Sequence, residues 1–577
     1  MRRRGLAAGV ALAVAGALGA CGTALAAPPG LPLGSTLPGH ESLIVEFAGH
    51  PSLATVERRL SGLGPVHPVV PEVGVWGVRP RRPLTARERA LGRFEVRSAQ
   101  WSLERGEDSF TPKATTTPAP GVEPTSFTDP FFSVSDQWDL FAPSPTFWDP
   151  KLTGFFPRPP LAILDGGIDA SHEEWSGPDS PLIDPHSTYQ DSDTANDWGQ
   201  TGHGTHVAGI AAAPANGVGI VGVAPAEKGV APVIPVQIAD PEGRSTDETM
   251  MEGIRWAVLH RARVINISAG GPGYSQAFQD VVDWAFSRGS LIVASVGNEG
   301  EDTNDLNYPA AYDHVLGVGA MCDTQVNPPD CPAPFATADF SNHNRSVDIV
   351  APGVNILSSV PKRVHDRQVA PGYALKDGTS MAAPYVSGVA ELVFAKYPDA
   401  TPYQVMRQLE NTATHPLGGG RNNQSGWGVI NAEAAVDSPL PANDPGEVND
   451  NIAKTTGTAT LQEAGQPRSI DARADFYDDP DDVYPVRFRR GDRVELTLSY
   501  RRGLFGLYLW RPGTRTVGTR ARAKPVRRAV AVSTRLGREQ SLTVTVRRSG
   551  LYYVDVNARQ GGGQYKLVID RLSPGSR

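Results

Sequence analysis

The sequence predicts an α/β domain built on a parallel sheet with helices on both faces, preceded by a small α+β unit and followed by a β-sandwich. Three observations point to it. Between about residues 129 and 436, short wholly apolar runs alternate with amphipathic helical stretches, the pattern of strands buried on both faces. Two stretches rich in Pro, Thr, Asp and Asn, within 110–128 and 437–475, interrupt the chain and read as linkers. From 476 to 573 apolar residues recur at every second position and no helical period competes. A length of 577 residues suits three or four domains. With 40% hydrophobic and 20% charged residues the chain can bury sizeable cores, which excludes wholesale disorder. A net charge of −8 excludes a chain that binds nucleic acid along its whole length.

Taken in order, Met1-Arg2-Arg3-Arg4 followed by the apolar run Gly5 to Ala20 reads as a secretory signal over residues 1–26. Two processing sites compete. Leu18-Gly19-Ala20-Cys21 resembles a bacterial lipobox, which would leave a lipid anchor on Cys21, whereas Ala24-Leu25-Ala26 fits cleavage before Ala27. Either way the expected location is secreted, extracellular or periplasmic. An oxidising compartment would let Cys322 and Cys331, close in sequence, form a disulfide, contributing about 2.7 kcal/mol in the chain-entropy picture.

Residues 41–109 form the α+β unit, with strands over Ser42–Phe47, Val73–Val78 and Phe94–Trp101. A helix is expected through Leu53, Val56, Leu60 and Leu63. In the large domain, 129–436, the apolar runs are Leu161–Leu164, Val264–Ile267, Leu291–Ser295 and Val315–Val318. A helix over Ser245–His260 opens with Ser245 and Glu248 in capping-box spacing.

Three short motifs carry chemistry. Leu161-Ala-Ile-Leu164 ends at Asp165-Gly166-Gly167, which places an acid at the carboxyl end of a buried parallel strand, where α/β sheets hold their sites. Alone, an Asp-Gly pair is most often a turn. Gly202-His203-Gly204-Thr205-His206 leads into a helix start. It lacks the Glu of a zinc-binding H-E-x-x-H, and His206 reads as structural. Gly378-Thr379-Ser380-Met381-Ala382 opens an apolar helix. A serine there is usually a cap, yet helix N-termini also favour an oxyanion. Position 382 is Ala, so the sequence is not the G-x-S-x-G of an α/β-hydrolase.

In the order Asp, His, Ser these motifs resemble the subtilisin-like serine proteases, whose chain order is a standard example. The resemblance rests on Ala162-Ile-Leu-Asp165-Gly-Gly-Ile-Asp169, His203-Gly-Thr-His-Val-Ala-Gly209 and Gly378-Thr-Ser-Met-Ala-Ala-Pro384. Val264-Ile-Asn-Ile-Ser268-Ala-Gly-Gly-Pro272, Ala294-Ser-Val-Gly-Asn298-Glu-Gly300 and Ala351-Pro-Gly353 support it. Gly166, Ala269 and Tyr385 depart from the usual residues, and Gly166 bears on how firmly Asp165 is held.

The resemblance implies a subtilisin-like parallel sheet and a secreted serine endopeptidase acting through an acyl-enzyme. Its catalytic residues would be Asp165, His203 and Ser380, with Asn298 in the oxyanion hole. Ser268, Ala269 and Gly270 would bind extended polypeptide substrates as an added strand. It also implies synthesis as a zymogen, with 41–109 as a propeptide that binds its own enzyme. No cofactor is needed for the chemistry. Glu174 and Asn216 fall where relatives hold a structural Ca2+, and their oxygens suit that ion. The tail resembles the pre-peptidase C-terminal β-sandwich. The rival reading is a catalytically inactive protein of the same fold, serving binding or adhesion at the cell surface.

From 481 to 577 there are 21 Lys and Arg against 7 Asp and Glu, a net +14 that leaves −22 for the rest. Such asymmetry marks a module for an anionic wall polymer or membrane surface. The expected outcome is retention of this region on an anionic matrix that falls steeply with salt. Retention unchanged between low and high salt would make the charge incidental.

Overall fold

A computed structural model describes most of residues 42–572. Residues 1–41, 81–95, 108–126, 134–135, 141–145, 325–330, 416–419, 453–466, 518–528 and 573–577, and several single positions and pairs, lie outside the described residues. The signal segment 1–26, Cys21 and nearly all of 110–128 fall among those left out.

In the N-terminal unit, β1 (Leu43–Phe47), β2 (Val66–Val70), β3 (Val75–Val78) and β4 (Val96–Trp101) form an antiparallel sheet in the order β2-β3-β1-β4. Helix α1 (Leu53–Leu60) closes a small core in which Val56 and Leu60 meet Leu43, Val45, Phe47 and Trp76. One more strand, β5 (Glu104–Glu107), leaves this unit and pairs elsewhere.

The large domain is organised on β6 (Leu161–Asp165), β7 (His186–Ser187), β8 (Val233–Gln237), β10 (Val264–Ile267), β12 (Leu291–Ser295), β13 (Val315–Met321) and β14 (Ile349–Pro352). They form one seven-stranded parallel sheet in the order β14-β13-β12-β10-β6-β8-β7. Every residue of its six longer strands is buried, which requires cover on both faces. Helix α2 (His203–Ala212) packs with α5 (Thr379–Lys396), while α3 (Asp247–Leu259) packs with α4 (Gln276–Ser287). The N-terminal unit sits on the second pair, with β2 against α3 and β1 and β4 against α4. Helices α6 (Pro402–Thr412) and α7 (Ala432–Asp437) complete the domain beside α5.

Two small sheets flank this core. Strand β5 lies between β9 (Arg244–Thr246) and β11 (Ala269–Gly270). Strands β15 (Ile356–Ser359), β16 (Gln368–Ala370) and β17 (Tyr373–Lys376) form the other. Cys322 and Cys331 are joined as a disulfide, their Cα atoms 5.7 Å apart.

The C-terminal strands are β18 (Arg468–Asp475), β19 (Asp481–Phe488), β20 (Arg493–Tyr500), β21 (Leu504–Trp510), β22 (Ala529–Ser533), β23 (Glu539–Thr545), β24 (Gly550–Gln560) and β25 (Gly562–Leu572). They form two four-stranded sheets, β18-β25-β20-β23 and β19-β24-β21-β22. Val494, Leu496, Leu498, Phe505, Leu507, Leu509, Val554 and Val556 share one apolar core, as a sandwich requires. The arginine pairs 489–490, 501–502 and 547–548 are exposed, and 527–528 lies outside the described residues.

Two expectations need correction. The helix over Ser245–His260 begins later: Thr246 is the cap, paired with Thr249 in a reciprocal capping box. Ser245 belongs to β9, and the Glu248 carboxylate meets His67 of the N-terminal unit, so a tertiary contact claims the residue that capping spacing singled out. The sandwich also begins earlier than 476, because β18 lies inside the stretch read as linker. It is an edge strand that contributes only Ile470, Ala472 and Ala474 to the core, too weak an alternation to stand out.

Candidate active site

The three adjacent strands β6, β10 and β12 run in register, with Ile267 beside both Leu164 and Ala294. Their carboxyl ends therefore release Asp165, Ser268 and the loop holding Asn298 at one edge of the sheet. Asp165 is 1% exposed and His203 is 0% exposed. The carboxylate accepts from His203 Nδ1 at 2.8 Å and from the Gly166 backbone N–H at 2.8 Å, both on Oδ1. The Gly166 departure thus still supplies a backbone tie to the acid.

His203 is the first residue of α2. Its neighbour must be glycine, because a Cβ at Gly204 would lie 2.2 Å from the Gly167 carbonyl oxygen and 3.1 Å from the Asp165 Cβ. The helix start is tied down by Thr205, whose N–H and hydroxyl donate to Asp197 Oδ2 at 3.0 and 2.7 Å. Burial pushes the Asp197 pKa up to about 6, with Thr205 hydrogen bonds opposing and the Asp165 charge adding. His206, one turn on, is buried and bonds the Ala374 carbonyl at 3.0 Å. Its burial drives the imidazole pKa well below the usual value, which fits the structural role expected of it.

Ser380 is the second residue of α5. Gly378 before it has φ 149°, a region open to glycine and closed to most side chains. The Ser380 hydroxyl donates to the Ser268 carbonyl at 3.1 Å, and the Ser268 hydroxyl donates back to the Ser380 carbonyl at 2.9 Å. Asn266 donates to Ser268 Oγ at 3.0 Å and accepts from Ser387 at 2.9 Å, so a satisfied polar chain joins β10 to α5 within the apolar core. Asn298 Oδ1 accepts from the Thr379 N–H at 2.9 Å and hydroxyl at 3.1 Å. With its oxygen so engaged at the start of α5, the amide nitrogen is the donor end of this side chain. Ala269 and Gly270 form β11, which pairs antiparallel with β5.

The expected cation ligands lie apart from these groups, on and around the loop 216–220. Glu174 Oε1 accepts from the Ile220 N–H at 2.9 Å and the Tyr373 hydroxyl at 3.0 Å, and Glu174 Oε2 has no partner. Asn216 Oδ1 accepts from the Val218 N–H. Asp129, read from the sequence only as the start of the large domain, accepts from the N–H groups of 216, 217 and 218 and raises the Glu174 pKa through its charge. Burial is the larger cause, taking Glu174 to about 8. A buried orphan carboxylate oxygen beside a second carboxylate fits a hard divalent cation.

Sequence reasoning also missed Asp197, a lone acid in a loop with no motif, and the buried pair of Arg105 with Asp247. Only the opposed charges of those two residues were visible in the sequence, some 140 positions apart.

The profile of the subtilase family matches residues 159–428. The chain is 36% identical to subtilisin of Bacillus pumilus over 280 residues, 48% of this chain and 90% of that protein. It is 37% identical to subtilisin E of Bacillus subtilis over 48% of this chain and 65% of that protein. With fervidolysin of Fervidobacterium pennivorans it shares 36% identity over 49% of this chain and 41% of that protein. It therefore spans less than two thirds of the full length of the last two. The crystal structure of fervidolysin, described as a keratinolytic enzyme related to subtilisin, superposes with TM-score 0.58 at 21% identity, covering 93% of each chain.

Two outcomes test this geometry. Gly204→Ala lowers the thermal midpoint, because the new methyl meets backbone, at a cost of about 1–3 kcal/mol or more; a midpoint equal to wild type would mean that α2 is not held against Asp165. Because the Asp197 pKa is raised by folding, its protonation supports the fold below about pH 4, and that support is lost as pH rises toward about 6. The midpoint gap between wild type and Asp197→Asn is accordingly wider at pH 4 than at pH 7; a constant gap would contradict the shift.

Proposed function

The chain belongs to the subtilase family, and from that premise we propose that it is a secreted serine endopeptidase, made as a zymogen and acting on extended polypeptides. The observation that supports the reading is the Asp165–His203 hydrogen bond at the start of a helix that packs against the helix bearing Ser380. Ser380 Oγ attacks the scissile carbonyl while His203 takes its proton, since a serine hydroxyl is a weak nucleophile without a base. The C–N bond breaks as His203 returns that proton to the leaving amine, and water repeats the cycle on the acyl-enzyme. Asp165 fixes the imidazole through Nδ1 and stabilises its charged form. The Asn298 amide and the Ser380 N–H receive the developing oxyanion.

Support for the zymogen comes from β5, which occupies the Ala269–Gly270 edge where a substrate strand would pair. The unit before it acts as propeptide, and cleavage within the segment after β5 would free that edge. Export fits the amino-terminal signal pattern. Among the described residues no helix is long and apolar enough to cross a membrane. Glu174, Asn216 and Asp129 would hold Ca2+, which would brace the loop over 216–220.

Ser380→Ala abolishes casein hydrolysis and labelling by a serine-directed covalent inhibitor, and the pure variant stays at precursor size. Self-processing by this variant would overturn the autocatalytic route, and loss of neither casein hydrolysis nor labelling would overturn the nucleophile. Asn298→Ala lowers kcat about 10²–10³-fold with little change in KM; a change confined to KM would remove Asn298 from the oxyanion site. Exhaustive chelation lowers the thermal midpoint of wild type but not of Glu174→Gln; equal shifts in both would dismiss the ion from this loop.

A further inference from the structure

Strand β5 carries Arg105 into the large domain. In the three-stranded sheet Glu107 faces Ala269 and Gly106 faces Gly270 on one side, while Arg105 faces Ser245 and Glu104 faces Thr246 on the other. The Arg105 side chain is 0% exposed, as is its partner Asp247. Its Nε donates to Asp247 Oδ1 at 2.8 Å, and Nη2 lies 2.8 Å from the same oxygen. Nη2 also donates to the Gly273 carbonyl at 3.0 Å. Nη1 donates to the carbonyls of Gly271 and of Pro272, the latter at 2.9 Å. Four of the five N–H donors of a guanidinium are thereby hydrogen-bonded, and Nη2 adds an ion-pair contact with the carboxylate.

The receiving groups all belong to the large domain. Asp247 is the first residue of α3, where the helix terminus favours a carboxylate. Its Oδ2 accepts from Gln100 at 3.3 Å, and its N–H donates to the Leu103 carbonyl at 3.0 Å. Carbonyls 271–273 directly follow the strand Ala269–Gly270. The cradle therefore adjoins the edge that an extended polypeptide would pair with, and its acceptors are residues of the large domain.

We propose that the pocket formed by Asp247 and carbonyls 271–273 is an arginine-selective substrate subsite, filled in this structure by Arg105; this rests on the endopeptidase reading above. The antiparallel register assigns its position. Continued by one residue, it sets the third residue after the arginine opposite Ser268, whose carbonyl holds the Ser380 hydroxyl. Preferred substrates carry Arg, then any two residues, then the residue whose carbonyl is attacked. Lysine is a poor substitute. Its three donors lack the planar fork, so carbonyls desolvated by the pocket would stay unsatisfied. An alanine in that position leaves the Asp247 carboxylate without its cation partner.

The test uses the processed protein and acetyl-Xaa-Gly-Ala-Phe and acetyl-Xaa-Gly-Ala-Leu p-nitroanilides, with Xaa as Arg, Lys or Ala. The expected kcat/KM for Arg exceeds that for Ala and Lys at least about thirtyfold, the scale of losing one partner of a buried charge pair. In Asp247→Asn the Arg-to-Ala ratio falls below about five. Equal rates in wild type, or a ratio unchanged in Asp247→Asn, would overturn the subsite. A second measurement needs no turnover: with Ser380 blocked covalently, anisotropy compares fluorescein-labelled Leu-Glu-Arg-Gly-Glu with Leu-Glu-Ala-Gly-Glu. Tighter binding of the arginine peptide supports the subsite even if Asp247→Asn does not fold, and equal binding overturns it. If no anilide is cleaved, the endopeptidase reading fails, and the anisotropy comparison, made without covalent blocking, still decides the subsite.

Discussion

Burying parallel strands on both faces leaves the large domain few places for charged chemistry. The strand interiors are closed to it, so polar groups gather where β6, β10 and β12 give way to loops and where α2 and α5 begin. At that edge an unpaired polar group would be costly, and the structure answers with reciprocal bonds. Ser268 and Ser380 exchange hydroxyl-to-carbonyl bonds, Asn266 anchors Ser268, and Thr379 anchors Asn298. Each proposed catalytic group is thus held by backbone that the apolar core has already fixed. The close approach of α2 to β6 depends in turn on the absence of a side chain at Gly204.

The N-terminal unit is attached by contacts of unequal weight. Arg255 pairs with Glu72 through two 2.7 Å hydrogen bonds, but both side chains are a quarter to a third exposed, where solvent screening leaves such pairs worth little. Arg105 and Asp247 are fully buried, and removal of either would strand a charge in an apolar setting. Strand β5 also has hydrogen-bonded partners on both edges. A single strand therefore carries the firmest contacts of the unit, and it does so on the edge proposed above for substrate.

The C-terminal sandwich has its own core and its own polar logic. Tyr484, Tyr565 and Asp482 form a buried chain of 2.6 Å hydrogen bonds, and Trp510 donates to Asp555 at 2.9 Å. Its described arginine pairs, 489–490, 501–502 and 547–548, are exposed to solvent. Arg571 pairs internally with Asp492, while the acidic remainder of the chain includes the carboxylates near the loop over 216–220.

By itself the sequence determined the parallel sheet, the period-two sandwich and the small α+β unit, because burial imposes apolar runs and alternation that are local along the chain. It likewise determined Asp165, His203, Ser380 and Asn298 as candidates, since each lies in a short motif whose glycines and small residues are demanded by close packing. Only the tertiary structure decided that Thr246 rather than Ser245 caps α3, that Asp197 braces the start of α2, and that β18 belongs to the sandwich. It alone brought Arg105 to Asp247. Capping choice, edge-strand pairing and buried ion pairs depend on which distant segments share a dielectric and a hydrogen-bonding edge, and no spacing along the chain encodes that.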